Sequence, residues 1–342
     1  VNTRFRALAR AALFLSPSFA LTACGGSSDN PAGSGGTGAA SAGAGSTSGS
    51  SNAAGAAGAG DSSQLVGAFQ VKLTSASELG DAATNIVGKV YDGPVPAATI
   101  WEKPQVDGAC TLTTPRIPFC DEPCSGGGIC VEDDTCQAYP TARSVGTVTV
   151  NGVKTSEGQS SFTMTPIANN YQPTVSLAYP PFAEGDSVTV AAAGDFFPAF
   201  SLASKGIAPL VLTSTDLALK SGQALDLTWT KGAAGNSTIH VKLDISHHGG
   251  TKGQIECDTD DSGSLSVSAA LISKLLSLGV AGFPTVIVTR QAIGATTISA
   301  GRVELVVSST VEQGVSIDGL NSCNKDDQCP KGQTCQSDLS CK

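Results

Sequence analysis

From Gln64 onward the chain is built of short runs in which apolar and polar residues alternate, separated by turn residues. Alternation with a period of two marks a strand with one buried face. In the clearest run, Ile239, Val241, Leu243 and Ile245 fall on one side, and His240, Lys242, Asp244 and Ser246 on the other. The next run continues the pattern, with Ile255 and Cys257 inward and Gln254, Glu256 and Asp258 outward. Three hairpins are predicted: at Asn151-Gly152 after Thr147–Val150, at Asp92-Gly93 after Ile86–Tyr91, and at Ser221-Gly222 between Leu217–Lys220 and Ala224–Thr230. Such dipeptides tolerate the positive φ angles of tight hairpin turns. Further strands are expected at Thr285–Arg290 and Val303–Val307. One segment has helical spacing instead: Leu271, Ile272, Leu275 and Leu276, with Ser268 as N-cap and Gly279 as the stop. The pattern predicts a mainly β protein, an antiparallel β-sandwich over 140–318 with one short helix, preceded by a small β region over 64–108.

Composition agrees with this reading. Charged residues are 14% of 342 and glycines number 40, which describes a turn-rich, weakly charged chain. The net charge of −9 makes nucleic acid an unsuitable partner, because phosphate binding needs a basic surface.

The first 63 residues lack strand patterning. Residues 1–23 read as a signal peptide, with Arg4, Arg6 and Arg10 ahead of an apolar stretch too short to span a bilayer. Leu21-Thr22-Ala23-Cys24 resembles the lipobox of bacterial lipoproteins. That resemblance implies cleavage before Cys24 and acylation of Cys24 with chains such as palmitate, an anchor that does not readily dissociate. Residues 24–63, nearly all Gly, Ala, Ser and Thr after the cysteine, are expected to form a disordered tether spanning roughly 35 Å. Gly25 stands where an Asp would signal inner-membrane retention, so the expected location is the bacterial cell envelope, at the outer membrane.

Ten cysteines remain beyond Cys24, an even number in an exported chain, and disulfides are the expectation. Cys124, Cys130 and Cys136 share the pattern C-x2-G-x2-C-x2-D-x2-C with Cys329, Cys335 and Cys341, and Cys120 and Cys323 precede them. The chain therefore carries a four-cysteine module twice, within 109–139 and 319–342. Such segments have almost no apolar core, so crosslinks must supply their stability. A zinc site is the competing reading, but neither module offers a CxxC pair or a nearby histidine. Cys110 and Cys257 remain; Cys110 pairs either with Cys257 or within the adjacent cluster.

Equipment for catalysis is sparse. Only His240, His247 and His248 could act as neutral-pH bases, and the folded part has no G-x-S-x-G elbow, P-loop or dinucleotide fingerprint. His240 is expected on a solvated strand face. His247-His248 is expected in a loop, where adjacent imidazoles could share a transition metal. Asp258, Asp260 and Asp261 ahead of Gly263 resemble the start of a calcium loop, but Ala269 occupies the position of its closing acidic ligand. Glu132, Asp133 and Asp134 are expected in an exposed turn, while Glu184 and Asp244 are separated carboxylates that folding could bring together. Trp229 shares parity with Leu225 and Leu227 and is expected in the core, which leaves Trp101 as the candidate for stacking on a ligand such as a sugar.

Val87–Ile100 faintly resembles carboxypeptidase-regulatory-like β modules. With the lipobox and tether, the segments Pro118–Cys124 and Gln254–Gly263 resemble cysteine-rich bacterial lipoproteins of myxobacterial type. That resemblance implies lipid anchoring and brings no activity with it. The expected function is a non-enzymatic binding or scaffolding role in the envelope, without cofactor. The expected partners are the membrane, through the lipid, and a protein or glycan ligand. The alternative is a secreted hydrolase or metal-dependent enzyme whose site is assembled from scattered residues.

Overall fold

The computed structural model describes residues 64–342 except Glu78, Leu79, Ala234 and Thr251. The leader, Cys24 and the tether lie outside the described residues. The first alternating run forms β1 (Leu65–Thr74), with Phe69, Val71 and Leu73 buried and Gln70 and Lys72 exposed. It pairs antiparallel with β2 (Ala83–Val90). β3 (Ile100–Asp107) and β4 (Cys110–Arg116) make a hairpin, and β5 (Ile129–Glu132) with β6 (Thr135–Gln137) a smaller one inside the first cysteine module. There follow β7 (Val148–Asn151), β8 (Ser161–Met164), β9 (Asn170–Tyr171), β10 (Ser187–Ala192) and β11 (Phe200–Lys205). The second half contains β12 (Ala218–Leu219), β13 (Leu225–Thr228), β14 (Thr238–Asp244), β15 (Gln254–Asp260) and β16 (Ser264–Val267). The helix α1 (Ala269–Leu276) precedes β17 (Thr285–Ile298), β18 (Gly301–Gly314) and β19 (Ser316–Ile317).

Nine strands form one sheet in the order β3-β4-β15-β14-β17-β18-β1-β2-β9. β17 and β18 are 14 residues each, far longer than the segments expected from the sequence, and their hairpin runs through two separate cores. The first core lies between β1, β2 and the inner ends of this hairpin on one side and the four-stranded sheet β11-β10-β7-β8 on the other. The second lies under β4, β15, β14 and the start of β17, and is closed by β13–β16, β12–β19 and α1. The protein is mainly β and sandwich-like, with one α-helix among the described residues. The pairing is not purely antiparallel, because β1 runs parallel to β18 and β12 to β19.

The helix forms as its spacing requires. Ser268 Oγ accepts from Leu271 N at 3.3 Å, Leu271, Ile272 and Leu275 are buried, and Gly279 leaves the helix at φ +90°. The hairpin expectations fare differently. β7 and β8 do pair, but through Gly152–Ser160 rather than a two-residue turn, and of Asn151-Gly152 only Gly152 takes a positive φ. Asp92-Gly93 makes no hairpin, since the Asp92 carboxylate is taken by Thr141 N (2.7 Å) and Arg143 Nε (2.8 Å). Ser221-Gly222 does not join β12 to β13 either: β12 pairs with β19 and β13 with β16, each finding a partner distant in sequence. The boundaries read at 108 and 140 cut through the nine-stranded sheet, because β1 and β2 are hydrogen-bonded beside β18.

Candidate functional site

The two cores meet at a polar seam. By strand parity Arg290 lies on the same face of β17 as Val286 and Val288 of the second core and Ala292 of the first. It is 1% exposed and heads the largest fully buried side chains. Here the chain leaving β11 crosses between the lobes, and residues 207–210 belong to no strand. Buried carbonyls without partners are costly, and Arg290 meets that need. Its Nη1 donates to Ala208 O (3.2 Å) and Pro209 O (3.3 Å), and its Nη2 donates to Thr230 O. Leu210 N donates to the buried Ser309 Oγ at 2.9 Å.

The remaining donors of Arg290 go to Asp261: Nε to Oδ2 at 2.6 Å and Nη2 to Oδ1 at 3.2 Å. Trp229 Nε1 donates to Asp261 Oδ1 (2.7 Å) and Ser237 Oγ to Oδ2 (2.8 Å). All five guanidinium N–H groups and four carboxylate acceptor positions are thus occupied. Burial pushes the Asp261 carboxyl up, but the bonds from Arg290, Ser237 and Trp229 outweigh it, so the group titrates below its ordinary value.

This corrects the calcium-loop expectation. Asp258, Asp260 and Asp261 are spent on different partners: Asp261 is consumed by Arg290, Trp229 and Ser237, Asp258 Oδ1 lies 2.9 Å from His240 Nδ1, and Asp260 lines the cleft beside the seam. His240 is likewise not a solvated histidine. It stands on the expected face but is only 9% exposed, because β14 is an interior strand flanked by Asp258 on β15 and Thr289 on β17. Trp229 is buried as its parity requires, and Trp101 is half-buried on the edge strand β3 opposite Pro115.

The ten cysteines form five disulfides. Cys110–Cys257 links directly opposed residues of β4 and β15 beneath the second core. The modules share one connectivity, first to third and second to fourth: Cys120–Cys130 with Cys124–Cys136, and Cys323–Cys335 with Cys329–Cys341. The sulfurs of Cys120, Cys124 and Cys136, and those of Cys323, Cys329 and Cys341, lie within 4.8 Å of one another. They cluster because two disulfides stack, and a disulfide sulfur is not the thiolate that zinc requires.

The aspartate repeated in both modules has a structural use. Asp133 accepts from Phe119 N (3.1 Å) and Arg116 Nη1 (2.8 Å), which hold its carboxyl below the ordinary range. Asp338, at the matching position, accepts from Lys342 Nζ (2.6 Å) and Ser340 Oγ (2.6 Å), and its pKa falls to about 2. Asp134 Oδ1 accepts from Asp121 N at 3.0 Å. Of the separated carboxylates, Glu184 Oε1 accepts from Ala233 N (2.7 Å) and Asp244 Oδ1 from Ser246 N (2.9 Å).

Beside the seam, between β10–β11 and the approach to β14, a cleft of about 770 Å³ opens. Lys205, Lys231, Asp260, Asn236 and Ser187 stand on its walls. Two ammonium groups, a carboxylate, an amide and hydroxyls suit hydrogen bonding to a polar ligand. None of these residues except Asp260 was singled out from the sequence. Lys205 and Lys231 belong to no motif in the sequence, and only the tertiary fold places both on one cleft. Arg290 had a legible signal, as the one charged residue on the apolar parity of its strand.

No protein-family model and no curated protein matches this sequence. Among solved structures, the chain is similar to the FN1-FN3 domains of chicken CNTN1 (9% identity, TM-score 0.20, 68% of this chain and 77% of that one). It is also similar to trypsin-activated alpha-2-macroglobulin from Escherichia coli (14% identity, TM-score 0.18, 69% of this chain and 18% of that one). At these scores neither likeness carries an argument about activity.

Proposed function

We propose that this protein is a lipid-anchored component of the bacterial cell envelope with a non-enzymatic binding or scaffolding role. Cys24 carries the lipid, the Gly/Ala/Ser segment is the tether, and a rigid β body is displayed beyond it. The observation that carries this reading is where the polar side chains are spent. Asp261, Arg290, Asp133 and Asp338 lock loops, lobes and modules in place, and five disulfides secure the same regions. Such an investment suits a body that must persist outside the cytoplasm. The cleft beside the seam is the binding region, and its mixed charges suit a glycan or a polar peptide segment.

Two measurements test this. Expressed in a bacterial host, Cys24→Ser should abolish acyl labelling and shift the protein from the membrane to the soluble fraction; unchanged membrane association overturns the anchor. Binding of envelope polysaccharides and peptides should weaken in Lys205→Glu with Lys231→Glu. Turnover of any polysaccharide, peptide or ester that survives repurification and is lost in Asp260→Asn would replace the binding role with the hydrolase one.

A further inference from the structure

The cleft beside the seam has a chemistry specific enough to name its ligand, an inference that rests on the binding role proposed above. Its floor is β17 at Gln291–Ile293, with Thr238 of β14 and Asp260 of β15, which stand opposite each other in register. One wall is the β10–β11 pair, where Lys205 lies across from Ser187. The other is the connection from β13 to β14, which carries Lys231 and Asn236. The two walls are tied together: Ala233 N donates to Glu184 Oε1 at 2.7 Å, and a Cβ on Gly185 would stand 3.2 Å from Asn236 Nδ2. A cleft braced in this way is shaped before a ligand arrives, which lowers the ordering cost of binding. His247 and His248 follow the opposite end of β14 and take no part in it.

Charge selects the first property of the ligand. The chain carries −9 overall, and the arginines among the described residues, Arg116, Arg143, Arg290 and Arg302, each hold a carboxylate. Lys205 and Lys231 are exposed on the cleft and make no ion pair among the described residues. Of the carboxylates on the lining, Asp261 is neutralised by Arg290, which leaves Asp260 against two ammonium groups. The cleft is thus a locally cationic site on an acidic protein, and it favours an anion.

The hydroxyls select the second property. Each serine has one proton to give. Ser204 Oγ donates it to Ala292 O (3.0 Å), Ser237 Oγ to Asp261 Oδ2 (2.8 Å) and Ser262 Oγ to Ser264 O (3.0 Å). What remains for a ligand is oxygen lone pairs, joined by the Asp260 carboxylate, and these match a ligand rich in hydroxyl donors. None of the lining residues is aromatic, so the stacking platforms on which nucleobases are held are missing. The volume of about 770 Å³ falls within the range of about 300–1,000 Å³ for small-ligand pockets. We propose that the cleft binds an anionic glycan segment, a sugar bearing carboxylate or phosphate. Lys205 and Lys231 hold the anionic group, and the serine oxygens and Asp260 accept from the sugar hydroxyls.

The test is calorimetric titration of the full chain with trigalacturonate and with its methyl ester, which keeps the hydroxyls and removes the charge. The acid should bind at least about tenfold more tightly. Lys205→Gln and Lys231→Gln should each weaken binding of the acid about fivefold or more and leave the ester within about twofold, while His247→Ala changes neither. Thermal midpoints matching the parent would show that the variants fold. A phosphorylated trisaccharide, 6-phosphomaltotriose, separates the two anions: tighter binding than trigalacturonate assigns phosphate and weaker binding assigns carboxylate, and either supports the proposal when both lysines are required. Inorganic phosphate bound as tightly as the sugars, or affinity indifferent to both lysines, overturns it. Equal affinity for acid and ester, or tighter binding of triglutamate, also overturns it but leaves the cleft as a binding region, for a neutral glycan or an acidic peptide. No binding of any probe overturns it and removes the cleft from the binding role as well.

Discussion

Replacing Asp261 by Ala strips Arg290 of its counter-ion while leaving the guanidinium buried at 1% exposure. Breaking a buried pair from one side costs about 3–5 kcal/mol, because the remaining charge has neither partner nor water. Trp229 Nε1 and Ser237 Oγ also lose their acceptor, and each such loss is worth about 1–3 kcal/mol when it leaves a buried group unsatisfied. These terms overlap, so the expected total is about 4–6 kcal/mol. With a urea slope of about 3 kcal/mol/M, appropriate to the upper end for a chain of this size, the midpoint should fall by about 1.3–2 M. The assay is equilibrium urea unfolding followed by far-ultraviolet circular dichroism and by tryptophan fluorescence, since Trp229 reports on the seam itself. A control separates charge from packing: Asp261→Leu with Arg290→Met should recover part of the loss by removing both charges. Recovery should stay incomplete, because the carbonyls of Ala208, Pro209 and Thr230 then lack their donor. Stability should also depend on acid. The folded carboxyl titrates below its ordinary value of 3.8, so its contribution is complete above that pH and disappears as pH falls through the folded pKa. A cost below about 1 kcal/mol for Asp261→Ala, with the fold retained, would refute the view that this pair locks the seam.

Non-reduced peptide mapping should recover Cys120–Cys130, Cys124–Cys136, Cys323–Cys335, Cys329–Cys341 and Cys110–Cys257, with no alkylatable thiol among these ten; two or more free thiols would contradict the connectivity. Replacing Cys110 and Cys257 by Ala should cost up to about 5 kcal/mol in urea unfolding, given the 147-residue separation that the crosslink closes. Gly294→Ala should destabilise by about 1–3 kcal/mol, because its Cβ would lie 1.7 Å from Ala203 O where β11 crosses β17. An NMR titration of Asp338 should show a midpoint near 2, rising toward 3.8 in Lys342→Ala; a midpoint unchanged by that variant would remove Lys342 as the cause.

Local periodicity by itself determined which residues of a strand face inward. The burial of Ile239, Val241, Leu243 and Ile245, the buried face of α1 and the core position of Trp229 follow from spacing alone, because burial on one face is a property of a single element. The repeated cysteine pattern marked both modules for the same reason: their disulfides close within about a dozen residues of chain. What spacing could not supply was the partner of each strand. Ser221-Gly222 has the residues of a hairpin turn, yet β12 and β13 pair elsewhere, since the choice among strands rests on burying two cores at once. Charged groups were hardest to place for a related reason. Asp261 looked like one of three neighbouring aspartates in an acidic turn, and its meaning came from Arg290, 29 residues on, and from carbonyls 60 to 82 residues away from that arginine. A carboxylate beside water and one beside a buried guanidinium are the same letter in the sequence. Their chemistry differs only through solvation and neighbours, and those exist only in the folded chain.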